Sequence, residues 1–190
     1  FPAVGGVREG DVVRYMAFRQ VRTMSGEVEG RVTPRLRQLA TVFKQAGLTV
    51  HLHPDMQTWL KTHAIMDMGI ITVAVIMTGG SAQLARSRRH VVLLVQAMRE
   101  GLLALRALGT PLTPFYLTML FLWFPRWLTV ILFQALLRTR LSVLGIDAHL
   151  GDDMEEIRQV AREIMAQLRS SPLATPTLSR LMVALEQTTH

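Results

Sequence analysis

The segment from Val91 to Leu105 constrains the fold more than any other part of the chain, because it is apolar almost all round a helix. A helix on the surface of a protein needs one polar face, so a helix of this kind requires other elements on every side. The sequence therefore predicts a bundle with this helix buried at its centre.

Capping residues, prolines and glycine stops divide the chain after residue 54 into the helices of that bundle. The predicted helices run from Asp55 to about Met77, from Ser81 to Leu108, from Thr113-Pro114 to Phe124, from Pro125 to Arg140, from Asp152 or Asp153 past Leu168, and from Thr175-Pro176 to Glu186. Residues 55–190 are thus predicted to form an all-helical domain.

The first 54 residues have a different pattern. β-forming residues predict strands over residues 11–19, 21–28 and 48–52. Thr33 and Pro34 predict the start of a helix before the last strand, and Gly47 predicts its end. The expected fold class is mainly α (α+β overall), with a short strand-strand-helix-strand piece ahead of the helical bundle.

The net charge of +7 would suit an anionic partner. The arginines are dispersed, however, and their one short cluster, Arg86, Arg88 and Arg89, lacks the interleaved aromatic residues of a single-strand-binding surface. Nucleic acid is therefore not expected as a partner, and a phosphate-bearing small molecule explains the charge equally well. The absence of cysteine excludes disulfides and thiolate chemistry, and it fits a cytoplasmic protein.

Two apolar stretches have compositions close to that of a membrane span. Residues 64–77 contain Asp67, and residues 115–137 are divided by Pro125 and Arg126. Because a span needs about 20 mostly apolar residues and a central arginine is costly, both stretches are predicted to be core helices. No membrane partner is expected on this basis.

Lys61 is the candidate of greatest chemical interest, since it and Lys44 are the only lysines in the chain. Arginine stays charged at any working pH, whereas a partly buried lysine can become a proton donor near neutrality. Lys61 follows Trp59 and precedes a long apolar helix, so we expect it to be partly buried.

Four groups of residues occur in a characteristic order. They are Phe1-Pro2 with Gly5-Gly6, then Gly10-Asp11-Val12-Val13, then Asp55-Met56 with Trp59-Leu60-Lys61-Thr62-His63, and then Glu100 with Ala107-Leu108-Gly109-Thr110-Pro111. Together they resemble the ketopantoate reductase (2-dehydropantoate 2-reductase) family, in a divergent branch.

This resemblance implies that residues 1–54 are the end of a Rossmann-type NADP-binding domain and that residues 55–190 are the family's helical substrate-binding and dimerisation domain. NADP would be the cofactor, with Gly5 and Gly6 as candidate contacts. The family's G-x-G-x-x-G loop, which brings backbone N–H groups to the pyrophosphate, does not occur in the sequence. The chain alone is therefore expected to be inactive.

The resemblance also implies that Lys61 is the catalytic residue, which binds the keto oxygen and protonates it as hydride arrives from the nicotinamide. An ammonium group suits that role because negative charge builds on the oxygen during hydride addition. The family reductases carry asparagines four and eight residues later and a glutamate downstream, where this sequence has Ile65, Gly69 and Gly145. The expected substrate is therefore a 2-oxo acid or related ketone other than ketopantoate.

Three further residues are candidates for substrate binding. His63 lies two residues after Lys61 and so points to a different side of a helix, which makes packing the alternative role. His149 would replace the lost glutamate if it faces the substrate. Glu100 has no basic residue three or four positions away, so its partner must come from another helix, and a structural pair is the alternative.

Other interpretations stay open at this stage. His51 and His53 share one face of a strand but lack a third ligand, so no metal site is expected. A non-enzymatic helical dimerisation module and a membrane-associated helical protein are the alternative functional classes. A homodimer through the helical domain is compatible with the reductase prediction.

Overall fold

The computed structural model describes residues 4–17, 22–139, 142, 147 and 154–188. Within these ranges the protein is mostly helical, as the sequence predicted, with two small two-stranded sheets. The chain divides into two compact units, Phe1–Leu60 and Lys61–His190. We call them the α/β unit and the helical unit, and the division falls six residues after the predicted one.

The described residues of the α/β unit form four strands and one complete helix. They are β1 (Val4–Glu9), β2 (Val12–Ala17), β3 (Thr23–Ser25), α1 (Pro34–Gln45) and β4 (Val50–Leu52). β1 and β2 form an antiparallel hairpin, whereas β3 and β4 pair in parallel, with Thr23 opposite Val50. Strand β1 was not predicted from the sequence, β3 ends three residues before its predicted end at residue 28, and β4 begins two residues after its predicted start at residue 48.

Helix α1 begins as its sequence predicts. The backbone N–H of Leu36 donates to the Thr33 side-chain oxygen at 3.2 Å, and Pro34 occupies the first turn. Proline is tolerated there because its missing N–H would have no partner within the helix. Leu36 and Ala40 bury the inner face of the helix, and Gly47 beyond its end has a φ of +81°.

The remaining elements are helical. They are α2 (Met56–His63), a π-helical segment (Ala64–Gly69), α3 (Ile70–Thr78), α4 (Ser81–Arg86), α5 (Arg88–Ala107), α6 (Phe115–Leu122), α7 (Arg126–Leu137), α8 (Met154–Leu168) and α9 (Pro176–Gln187). α2, the π segment and α3 are continuous, and Gly79, with a φ of +83°, ends α3 as predicted. The predicted break at Pro125 is also present, between α6 and α7.

Helix α5 is the centre of the helical unit, as its sequence predicted. Among the described elements it contacts the π segment and the helices α3, α4, α6, α7, α8 and α9. Val91, Leu94, Val95, Leu102 and Leu105 are completely buried. Ala161, Ile164 and Leu168 of α8 complete this core, on the face that the spacing of apolar residues predicted.

The helix predicted from Ser81 to Leu108 is in fact two helices, so that prediction was wrong. The chain leaves the helical conformation at Ser87, whose side-chain oxygen lies 2.6 Å from Nδ1 of His90. A serine that bonds three residues ahead competes with the continuous helix and favours a new start. Ser81 does not cap α4 with its hydroxyl, since its N–H and Oγ–H both donate to the Asp147 carboxylate at 2.9 Å.

Among the described residues, the continuous helix Met56–Thr78, which comprises α2, the π segment and α3, has the length and hydropathy of a membrane span. Its most apolar window is 62% buried inside the protein, which is the arrangement of a core helix. Helix α7 is also apolar but shorter than a span.

Candidate active site

The turn that carries Lys61 is fixed at its start by local capping. Asp55 precedes α2 and its Oδ1 accepts the N–H of Thr58 at 3.0 Å, as expected for an N-cap. The N–H of Asp55 donates to Nδ1 of His53 at 3.1 Å, so this imidazole supports the helix start. Among the described residues, no group of three or more His, Asp or Glu is placed to hold a metal ion.

Lys61 lies on the solvent-facing side of that turn. Its neighbours Trp59 and Thr62 are 5% and 0% exposed, whereas Lys61 itself is exposed. The expectation of partial burial was therefore wrong, because the buried face of the helix runs through Trp59 and Thr62, three residues apart, and Lys61 lies outside it. The buried neighbours hold the backbone of the turn while the amine remains accessible.

The positions four and eight residues after Lys61 are filled by core packing. Ile65 is completely buried, and a Cβ built on Gly101 of α5 would lie 2.9 Å from its Cγ2. A Cβ built on Gly69 would lie 2.3 Å from Cδ1 of Ile164 in α8. These two glycines allow α5 and α8 to approach the π segment closely, so this face of the helix carries no polar ligand at either position.

The structure describes the surroundings of His63 and of the pair Gly5-Gly6, which were also predicted as site residues. His63 is half-buried and its Nε2 is shielded from solvent. Gly5 and Gly6 lie inside strand β1, opposite Met16 and Tyr15 of β2. Glycines that bind phosphate lie where a strand turns into a helix, and these two have no such geometry. His149 and Gly145 lie outside the described residues.

Glu100 acts as a helix cap. Its Oε2 accepts the backbone N–H groups of Thr177 at 2.7 Å and Leu178 at 3.1 Å, in the first turn of α9. Its Oε1 accepts from Gln96 at 3.3 Å. The partner of Glu100 does come from another helix, as predicted, but it is a pair of peptide groups, whose positive helix-end dipole favours a carboxylate. The geometry favours the structural role over substrate binding.

We expect Glu100→Ala to lower the free energy of unfolding by about 1–3 kcal/mol, because it leaves two buried N–H groups without an acceptor. Glu100→Gln should cost less, since an amide oxygen can still accept. Urea unfolding followed by circular dichroism measures both. The control is Glu163→Ala, which removes an exposed carboxylate that accepts from Gln159 on its own helix. Equal effects of the two alanine variants would exclude the capping role.

Sequence reasoning missed the role of Arg99. Its guanidinium donates to the carbonyl oxygens of Phe121, Leu122 and Phe124, and so caps the C-terminal end of α6. Burial, and secondarily the charge of Arg126, lowers the pKa of Arg99 below its usual value. An arginine within the apolar run of α5 was the available signal, because buried arginines require several acceptors.

No family model, curated protein or solved structure matches this chain.

Proposed function

We propose that this chain is the substrate-binding portion of an NADPH-dependent reductase that converts a 2-oxo acid or a related ketone to the alcohol. The observation that carries the proposal is the accessible amine of Lys61 on a turn anchored by Trp59 and Thr62. The resemblance of residues 55–63 to the ketopantoate reductase pattern is its second support.

In this proposal Lys61 acts as the proton donor. A ketone that accepts hydride develops negative charge on its oxygen, and an ammonium group at hydrogen-bond distance stabilises that charge and transfers a proton. The neutral amine then regains a proton from water, to which its exposure gives access. NADPH is the reductant that the resemblance implies, and none of the described residues provides a loop for its pyrophosphate.

The packing beside Lys61 bears on the substrate. Ile65 and Gly69 belong to the core, so they offer no hydrogen bond to a hydroxyl group next to the ketone. A site built to bind a hydroxyl rejects substrates that lack it, whereas an apolar site discriminates weakly. We therefore propose 2-oxo acids and ketones without a neighbouring hydroxyl as the substrate class.

The test is NADPH oxidation by the protein expressed from its complete reading frame, against a panel of 2-oxo acids and ketones. Lys61→Ala should lower kcat/KM by about 10²–10⁴-fold, the usual contribution of a general acid, and leave the affinity for NADPH unchanged. Lys61→Arg should also be impaired, since it keeps the charge but cannot give up its proton. Lys44→Ala is the matched control, because Lys44 is the other lysine and is also exposed.

Unchanged turnover in Lys61→Ala would remove this residue from the mechanism. If no member of the panel supports NADPH oxidation by the protein, the reductase proposal itself is wrong.

A further inference from the structure

The outer surface of α6 and α7 is apolar and aromatic. Its exposed side chains include Phe115, Tyr116, Trp123, Trp127, Ile131 and Leu136, which we call the aromatic face. Trp123 is 67% exposed and Trp127 is 61% exposed, although tryptophan is usually well buried. Exposed apolar side chains in this number on two neighbouring helices are typical of an interaction site.

Buried contacts hold both helices of the aromatic face in place. Arg99 caps the last turn of α6, and the Thr129 hydroxyl at the start of α7 donates to the Leu120 carbonyl at 2.9 Å. Phe115 and Trp123 stack edge to face with ring centroids 5.7 Å apart. The aromatic face is therefore a fixed surface and does not depend on a frayed helix end.

Positive charge borders the aromatic face. Arg126 is the first residue of α7 and Arg138 follows its last residue, and both are exposed. The side-chain amide of Gln134 in α7 donates to the Ala85 carbonyl at 3.1 Å, which places the end of α4 beside α7. The exposed arginines Arg86, Arg88 and Arg89 follow directly. Between residues 101 and 146 the sequence contains no acidic residue.

Exposed aromatic side chains beside positive charge favour one kind of partner for the aromatic face over another. A second copy, docked through the same face, would bring two arginine-bordered surfaces together, and like charges in contact oppose such pairing. An anionic lipid surface has the complementary charge. Tryptophan and tyrosine favour the boundary between headgroups and acyl chains, and arginines at that depth meet the lipid phosphates.

We propose that the aromatic face binds the surface of a membrane rich in anionic lipid, with the helices lying on the bilayer and not crossing it. This departs from the sequence-based expectation of no membrane partner, which considered only membrane-spanning helices. The proposal is independent of the reductase function, because it involves neither Lys61 nor its neighbours.

The test is flotation of the full chain with vesicles of phosphatidylcholine alone or with about 30% phosphatidylglycerol. We expect binding at least about tenfold stronger to the anionic vesicles, and weakening with salt. The double variant Trp123→Ser/Trp127→Ser should lose at least about tenfold in vesicle affinity. Replacement of Arg86, Arg88 and Arg89 by glutamine should weaken binding by up to ~fivefold for each arginine at the surface.

Val183→Ser is the matched control, since it removes an apolar side chain that is 56% exposed on α9. It should bind anionic vesicles like the wild type. A blue shift of tryptophan emission on vesicle addition supplies a second measurement, and circular dichroism checks that each variant is folded.

Three outcomes would overturn the proposal. They are the absence of binding to anionic vesicles, binding that is unchanged in the double tryptophan variant, and a self-association that this variant abolishes while vesicles have no effect. The last result would assign the aromatic face to a second copy of the chain.

Discussion

Leu102→Ala is expected to lower the free energy of unfolding by about 2–5 kcal/mol, the range for truncation of a fully buried leucine. Leu102 is 0% exposed in the second half of α5, where the π segment and α9 approach its neighbour Gly101. Elements on several sides limit the collapse of the surrounding side chains into the cavity. The free-energy cost of the cavity therefore adds to the transfer free energy lost with the deleted atoms.

Urea unfolding followed by helix ellipticity measures this effect. Leu136→Ala is the matched control, because it makes the same chemical change on a helix at a position that is 51% exposed. It should change stability by no more than about 0.5 kcal/mol. Similar small effects at the two positions would contradict the central place of α5 in the core.

Gly69→Ala is expected to destabilise the helical unit by about 1–3 kcal/mol through overpacking. Its new Cβ would lie 2.3 Å from Ile164 Cδ1, and the next nearest atom of that side chain, Cγ1, is at 3.8 Å. Ile164→Val deletes Cδ1 and keeps Cγ1. Alone it should cost about 0.5–1.5 kcal/mol as a small cavity. In the double variant, the absence of Cδ1 should relieve the collision with the new Cβ at position 69.

The double variant should therefore be more stable than the sum of the single effects by about 1 kcal/mol or more, which is a typical coupling between residues in contact. The control cycle combines Ile164→Val with Gly101→Ala. The Cβ that Gly101→Ala adds would meet Ile65 and Leu178 and not Ile164, so these changes should be additive. Additive effects in the Gly69 cycle would show that the two sites do not touch.

Local sequence patterns predicted most of the helical elements. Thr33 and Pro34 start α1, Asp55 starts α2, and Gly79 ends α3, because capping and positive φ depend on residues within one turn. The burial of α5 followed from its composition, since a helix without a polar face must be covered.

Predictions that required knowledge of distant partners were less successful. Strand β1 was missed because its pairing with β2, and not its own composition, gives it structure. The break at Ser87 was missed because apolar residues on both sides continue the helical pattern. Partial burial of Lys61 was wrong because burial near the start of a helix depends on which neighbour packs against each side.

The sequence by itself determined a mostly helical protein with α5 at its centre and singled out Lys61 as a titratable group among arginines. Tertiary structure alone decided that Glu100 caps a helix that begins far along the chain, at Pro176, and that Ile65 and Gly69 are packing positions. Tertiary packing also left part of the apolar side chains of α6 and α7 exposed. The physical reason is that caps and periodicity are set within a turn, whereas burial is set by residues far apart in the chain.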